Sequence, residues 1–154
     1  MNITSDSAND SIFVKDWSID HINNLHANTL CSHLGMQFTE RGRNYLSARM
    51  PVDARTIQPM GILHGGASVA LAETLGSVAA WLCLAEGSNA VGLDINANHI
   101  RAVTSGWVQG KAMPVHIGRT THVWQIEIVD ERSKLICSSR LTMAIVASSS
   151  LKTA

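Results

Sequence analysis

The stretch from Gln58 to Ala85, QPMGILHGGASVALAETLGSVAAWLCLA, constrains the fold more than any other part of the chain. Between Gly65 and Ala85 it carries one charged residue, Glu73, among Ala, Val, Leu, Trp and Cys relieved only by Gly, Ser and Thr. Good helix formers dominate after the glycine pair, and the run is too long for an ordinary strand. It predicts one helix, beginning near Gly66 and ending near Gly87. Apolar residues go almost all the way round, so the helix is expected to be buried in the domain rather than laid on its surface.

Burial would make Glu73 costly, because a carboxylate in an apolar setting must be paired, hydrogen-bonded or partly protonated. No Lys or Arg lies within one turn of it; Ser77 at i+4 shares its face, and Val69 and Ala70 are its neighbours one turn back. One reading is a carboxylate looking into a polar gap or a subunit interface. The other is a catalytic carboxylate of raised basicity beside a cleft. What precedes the helix favours the second. His64-Gly65-Gly66 stands where the helix starts, and unpaired N–H groups there form a site for a negative oxygen. Glycine lets a substrate approach the backbone closely. Gln58, upstream of His64, offers a side-chain donor. A donor cluster at a helix mouth with an isolated carboxylate two turns on points to acyl transfer: one part holds the developing oxyanion, and the other handles water or the acyl carbon.

The 154 residues suit one domain with a proper core and are few for two. Hydrophobic residues make up 45% and charged residues 16%, more apolar surface than a typical monomer needs and a hint of oligomerisation. Lys+Arg and Asp+Glu both number 12, so the basic excess of a nucleic-acid binder is missing. Cys31, Cys83 and Cys137 are far apart and odd in number; Cys83, in the apolar helix, and Cys137, in an expected strand, read as small core residues in a reducing compartment. The seven histidines lack ligand spacing, so no metal is expected. Residues 1–10 are polar, with no basic start and no apolar core, unlike a signal peptide. The long apolar run is broken by Glu73, Thr74 and Ser77, which argues against a membrane span. Together these lead to the expectation of a cytoplasmic protein.

Along the chain, Ile12–Trp17 reads as a short edge strand or an extended arm. Ser18 offers an N-cap, with Asp20 in the first turn, for a helix through about Leu30. His21, His26 and His33 in this lead-in read as surface or half-buried. Met36–Glu40 and Tyr45–Val52 flank a hairpin turn at Arg41-Gly42-Arg43-Asn44. A loop punctuated by Pro51 and Pro59 then delivers Gln58 and His64 to the helix mouth. After the helix the period changes from that of a helix to that of a strand. Val91, Leu93, Ile95 and Ala97 are expected on one face, with His99 continuing that side as a core histidine, and Gly92, Asp94, Asn96 and Asn98 on the other. Trp107–Val115, Thr121–Val129 and Leu135–Val146 read as three more strands, with a turn at Thr104-Ser105-Gly106 and a polar one at Asp130-Glu131-Arg132-Ser133. One buried helix followed by four strands without an intervening helix predicts an α+β fold, an antiparallel sheet wrapped around a long central helix.

The run QPMGILHGGASVALAETLGS resembles the hotdog-fold acyl-CoA thioesterases of the phenylacetate-degradation type. MPVDARTIQP before it, and VGLDINANHIRA and VWQIEIVDERSKLICSSRLTMAI after it, extend the resemblance from about Ile19 to Ile145. Within that family the chain looks nearest to the bacterial 1,4-dihydroxy-2-naphthoyl-CoA hydrolases and their enterobactin-pathway proofreading relatives. The resemblance implies a hotdog domain over residues 18–147, an N-terminal arm over 1–17 and a frayed tail over 148–154. It implies a homodimer or dimer-of-dimers tetramer with shared active sites, and acyl-CoA as substrate with no separate cofactor. Carried over residue by residue, Glu73 is the catalytic carboxylate, as general base or nucleophile. Gln58, His64 and the N–H of Gly65 polarise the thioester carbonyl, and Ser77 holds the water or orients Glu73. The implied CoA-binding positions are Gly92, the run His99, Ile100, Arg101 and Ala102, and the run His116, Ile117, Gly118, Arg119, Thr120 and Thr121. Arg101 and Arg119 suit phosphate oxygens; ordinary solvated arginine is their alternative reading, as an exposed ring is for His116. Hotdog hydratases or dehydratases, which typically pair a His with an Asp, and a non-catalytic acyl-CoA-binding protein are the alternatives.

Overall fold

The structure, a computed structural model, describes residues 11–151. The expectations for residues 1–10 and for the end of the tail lie outside that range. Six antiparallel strands form one sheet in the order β1-β2-β4-β5-β6-β3, with one long helix, α3, packed against it.

Ser18 caps α1 (Ile19–Leu25), its hydroxyl accepting the His21 N–H at 3.1 Å. The helix stops well short of Leu30. Asn28 adopts the left-handed conformation (φ 59°), which asparagine tolerates better than most residues and which no helix can pass through. A separate turn of helix, α2 (Leu30–His33), then begins at Thr29, whose N–H donates to the Ser32 hydroxyl at 3.1 Å. Strands β1 (Gln37–Arg41) and β2 (Leu46–Pro51) form the expected hairpin, closed by Gly42 N–H donating to the Tyr45 carbonyl.

Helix α3 (Gly65–Leu82) buries Leu71, Leu75, Ala79 and Leu82 against a sheet face carrying Met50, Val108, Trp124, Ile126 and Leu141. Gly76 permits this close seating: a Cβ there would stand 2.5 Å from Leu141 Cδ2. The sequence expectation fails in two respects. The helix ends at Leu82 rather than near Gly87, and Cys83 caps it instead of lying within it. The Leu82 carbonyl accepts the N–H groups of Val14 (2.9 Å) and Lys15 (3.0 Å), and Lys15 Nζ bonds the Leu84 carbonyl, so the arm takes over the helix's C-terminal acceptors. Ile12–Trp17 is accordingly an extended arm and not a strand, pinned by Arg41 Nη1 on the carbonyls of Lys15 (2.8 Å) and Trp17 (3.2 Å). Nor is α3 buried all round. One side is covered by the sheet, while Ala70, Glu73, Thr74, Ser77, Val78 and Trp81 remain half-buried or exposed.

Strands β3 (Ser88–His99), β4 (Trp107–Ile117), β5 (Thr121–Asp130) and β6 (Leu135–Ala147) fall within a few residues of their expected bounds. The facing of β3 is different. A bulge between Gly92 and Asp94 interrupts its register with β6 and leaves Leu93 64% exposed, while Ala90, Ile95 and Ala97 pack on the core. His99, expected in the core, is exposed at the end of the strand. No helix among the described residues is long and apolar enough to cross a membrane.

Candidate active site

The loop before α3 doubles back on itself. Gln58 N–H donates to the Ile62 carbonyl (2.9 Å), Ile57 bridges Leu63, and His64 N–H donates to the Thr56 carbonyl (2.8 Å). Gln58 is thereby brought beside the helix mouth although it precedes it in sequence. His64 is the N-cap of α3: its Nδ1 accepts the Gly66 N–H at 2.8 Å. An Nδ1 that accepts leaves the neutral ring's proton on Nε2, so the ring's second nitrogen is a donor. The Gly65 N–H has no acceptor among the described residues, and a helix N-terminus makes such a group a good anion partner.

A cavity of about 290 Å³ opens at this mouth. Its walls include Gly65, Ser68, Ile136 and all four residues of His99–Ala102, so the structure brings the second predicted group to the first. The approach is close: a Cβ on Gly65 would stand 2.8 Å from His99 Nε2. Arg101 is exposed and donates to the Leu135 carbonyl at 2.9 Å.

Glu73 lies elsewhere. It stands two turns along α3, about 12 Å from Gly65 at ~1.5 Å per residue. Its side chain is exposed, which corrects the expectation of a buried carboxylate. It shares a cavity of about 340 Å³ with Ser77, Cys31 and His26. Gly92 sits beneath it: a Cβ there would meet Glu73 Oε1 at 3.0 Å. The Ser77 hydroxyl points to Met143 Sδ at 3.7 Å. Met143 is also the register partner of both Gly92 and His122. His122 is 1% exposed, its Nδ1 without a partner, and burial holds its pKa below the ordinary value, helped by His116 and opposed by the Gly118 carbonyl. The β4–β5 turn carrying His116 to Thr121 lies at this same end of the sheet, held by Gly118 N–H on the Thr121 carbonyl and by Ile145 N–H on the Thr120 carbonyl.

The predicted residues thus fall into two groups well apart along β3 and β6. His99 pairs with Cys137 at the end of β3 and Gly92 with Met143 nearer its middle, a separation of roughly 20 Å at ~3.3 Å per residue. Gln58, His64, Gly65 and His99–Ala102 form the first group; Glu73, Ser77, Gly92 and the 116–121 turn form the second.

Sequence reasoning missed an apolar extension of the second group. The Glu73 cavity shares His26, Ser77 and Val78 with another of about 370 Å³ whose walls include Trp17, Ile22 and Trp81. Part of it was readable: Glu73, Ser77 and Trp81 recur at four-residue intervals and make one stripe of the helix. Trp17 and His26, supplied by the arm and α1, carried no such periodic signal.

The chain's residues 60–137 match the family model of the thioesterase superfamily, and the chain belongs to that family. It has the hotdog thioesterase fold. A crystal structure of a thioesterase from Haemophilus influenzae superposes with a TM-score of 0.87 at 51% identity, covering 88% of this chain and 95% of that one. A Pasteurella multocida protein classed provisionally as an esterase is 53% identical over 87% of this chain and 96% of its own length. The 1,4-dihydroxy-2-naphthoyl-CoA hydrolase of Escherichia coli is 47% identical over 88% of this chain and 99% of its own. The protein is a thioester hydrolase.

Proposed function

We propose that the protein hydrolyses an aromatic acyl-CoA, of the 1,4-dihydroxy-2-naphthoyl or benzoyl type, to the free acid and CoA, and that each active site is completed by a second copy of the chain. The observation that carries this is the division of the candidate residues along β3, one group at its His99 end and the other around Gly92. That strand is a sheet edge, and its outer side has no partner among the described residues. A two-fold axis through such an edge pairs the strand antiparallel with its own copy. Opposite ends then meet: the mouth with Gln58, His64 and Gly65 of one copy faces Glu73 and Ser77 of the other. The same contact covers the open face of α3. The 47% identity with the naphthoyl-CoA hydrolase supports the acyl class.

In this reading the thioester oxygen sits against the Gly65 N–H, with Gln58 and His64 Nε2–H as side-chain donors, and gains stabilisation as it becomes negative. Glu73 either removes a proton from water attacking the carbonyl carbon or attacks it directly, giving a mixed anhydride that water opens; in both cases the thiolate leaves as CoA. Ser77 positions the water or Glu73. Gly92, His99–Ala102 and the 116–121 turn hold CoA, with Arg101 and Arg119 as the cations for its phosphates. The assembly is a dimer or a dimer of dimers acting in the cytoplasm, and a naphthoyl substrate would set it in menaquinone synthesis. The test is release of free thiol, read with a colour reagent, across a panel of aromatic and aliphatic acyl-CoAs. Turnover is expected to be fastest with aromatic acyl groups; no thiol release from any member would overturn the proposal.

A further inference from the structure

The groove beyond Glu73 ends in a built wall. Along α3, Glu73, Ser77 and Trp81 lie on one stripe, and Trp81 is about 12 Å beyond Glu73 at ~1.5 Å per residue. The Trp17 ring stands edge-on to the Trp81 ring, with centroids 4.5 Å apart and planes at 68°. The wall is anchored on both sides. Lys15 Nζ lies 4.7 Å over the Trp81 ring, Arg41 holds the Trp17 carbonyl at 3.2 Å, and the His21 ring packs against the far side of Trp17 at 4.3 Å. Between the wall and Glu73 the two cavities adjoin, sharing His26, Ser77 and Val78 as walls.

We propose that Trp17, braced against Trp81, is the end-stop of the acyl-binding groove and determines specificity by admitting compact, flat acyl groups and refusing long chains. This rests on Glu73 acting at the thioester, as proposed above. An acyl group whose carbonyl lies at Glu73 must extend along α3 towards the two indoles or back into solvent. An aromatic ring gains edge or offset contacts with indole faces there. An extended ten-carbon chain spans roughly 11 Å at about 1.2 Å per bond, the spacing of an extended backbone, nearly the whole ~12 Å along α3 from Glu73 to Trp81, so the thickness of the indole rings leaves too little room for it. Trp17 comes from the arm, so the length limit is set by a segment outside the helix and sheet that carry the chemistry.

The experiment compares benzoyl-CoA with decanoyl-CoA in two measurements. The first is the kcat/KM of wild type, Trp17→Ala and Trp17→Leu. The second is calorimetric Kd of the same thioesters on the Glu73→Gln background, with and without the Trp17 change. Removing the stop is expected to raise the decanoyl-to-benzoyl ratio of kcat/KM by at least about tenfold, the lower range for methylene discrimination in an apolar pocket, with the Kd ratio moving the same way. Trp17→Leu keeps apolar cover over the helix end and gives a smaller shift of the same sign, so misfolding of the alanine variant does not end the test. Parallel losses for both thioesters with an unchanged ratio, in a variant with native circular dichroism, would mean that Trp17 only packs the arm and would overturn the end-stop. A Kd ratio that shifts while the wild-type protein hydrolyses neither thioester would uphold the end-stop and overturn the hydrolase reading instead.

Discussion

Replacing His64 by asparagine separates two jobs that one imidazole performs at the start of α3. Nδ1 caps the helix by accepting the Gly66 N–H at 2.8 Å. In the proposed mechanism Nε2–H is then the donor offered to the thioester oxygen. Asparagine is among the best N-caps: its side-chain oxygen can take over the first job, while its NH2, on the same carbon, stops short of where Nε2–H stands; alanine does neither. Loss of an N-cap costs about 1 kcal/mol. For a chain of this length that is about 2–4 °C in Tm, measured at fixed protein concentration because assembly contributes to the melt. Loss of one oxyanion donor costs on the order of a hundred- to a thousandfold in kcat. His64→Asn is therefore expected to melt like wild type and turn over about a hundredfold more slowly or worse, whereas His64→Ala loses both. Thermal melts and steady-state thiol release on the two variants decide it. An asparagine variant with near wild-type kcat would reduce His64 to a cap, and one that melts as early as the alanine variant would refute the capping argument.

Glu73→Gln should keep the fold and lose most turnover, roughly a hundred- to ten-thousandfold for a missing general base; near-normal kcat in the folded variant would remove Glu73 from the mechanism. Mixing that variant with His64→Asn by co-refolding should restore roughly a quarter of wild-type activity, since half the two-fold dimers are mixed and each has one intact site; no recovery would refute the shared site. Gln58→Ala should lower kcat by about a hundred- to a thousandfold or somewhat less with a modest change in KM, by the oxyanion argument, and a loss seen only in KM would assign Gln58 to binding alone. His122, buried and neutral, has a folded pKa below its unfolded value of about 6.5. The unfolded chain binds the proton first, so this contribution is fully present above about pH 6.5 and is lost as pH falls from there through the folded pKa. Melting temperatures of wild type should accordingly drop more steeply below pH 6.5 than those of His122→Gln, and parallel curves would show that the ring does not carry the effect.

The architecture was legible because the signals behind it are local. An eighteen-residue helix with one charge, followed by strand-like segments separated by polar turns and no second helix, leaves little choice of layers. The misses have physical causes of another kind. The end of α3 depends on Val14 and Lys15 reaching the Leu82 carbonyl, a contact between segments far apart in sequence. The bulge at Gly92 adds one residue without altering composition, yet it turned the expected facing of Leu93 outward. The break between α1 and α2 was readable from Asn28-Thr29, a residue that tolerates the left-handed region followed by a cap. For the site, residue types and spacing pointed to Gln58, His64, Gly65 and Glu73, but spacing cannot say that a helix separates them by more than a substrate's reach. Burial of Glu73 was inferred from the apolar residues around it, but Leu71, Ala72 and Leu75 face the sheet while Glu73 stands on the side of the helix that the sheet leaves uncovered.

Strand β3 has a consequence for how the chain must mature. Its twelve residues, SNAVGLDINANH, contain no Lys, Arg or Pro; Asp94 and the bulge are the only features that discourage pairing with a stray strand. In the proposed assembly a newly made copy therefore presents an adhesive border until another copy closes it. Correct closure needs an encounter between two finished chains, so its rate falls with the square of their concentration, while capture of the border by any unfolded polypeptide nearby competes at every moment. Yield from refolding would then pass through an optimum, with too little protein leaving borders open for long and too much bringing them together before α3 has settled on the sheet.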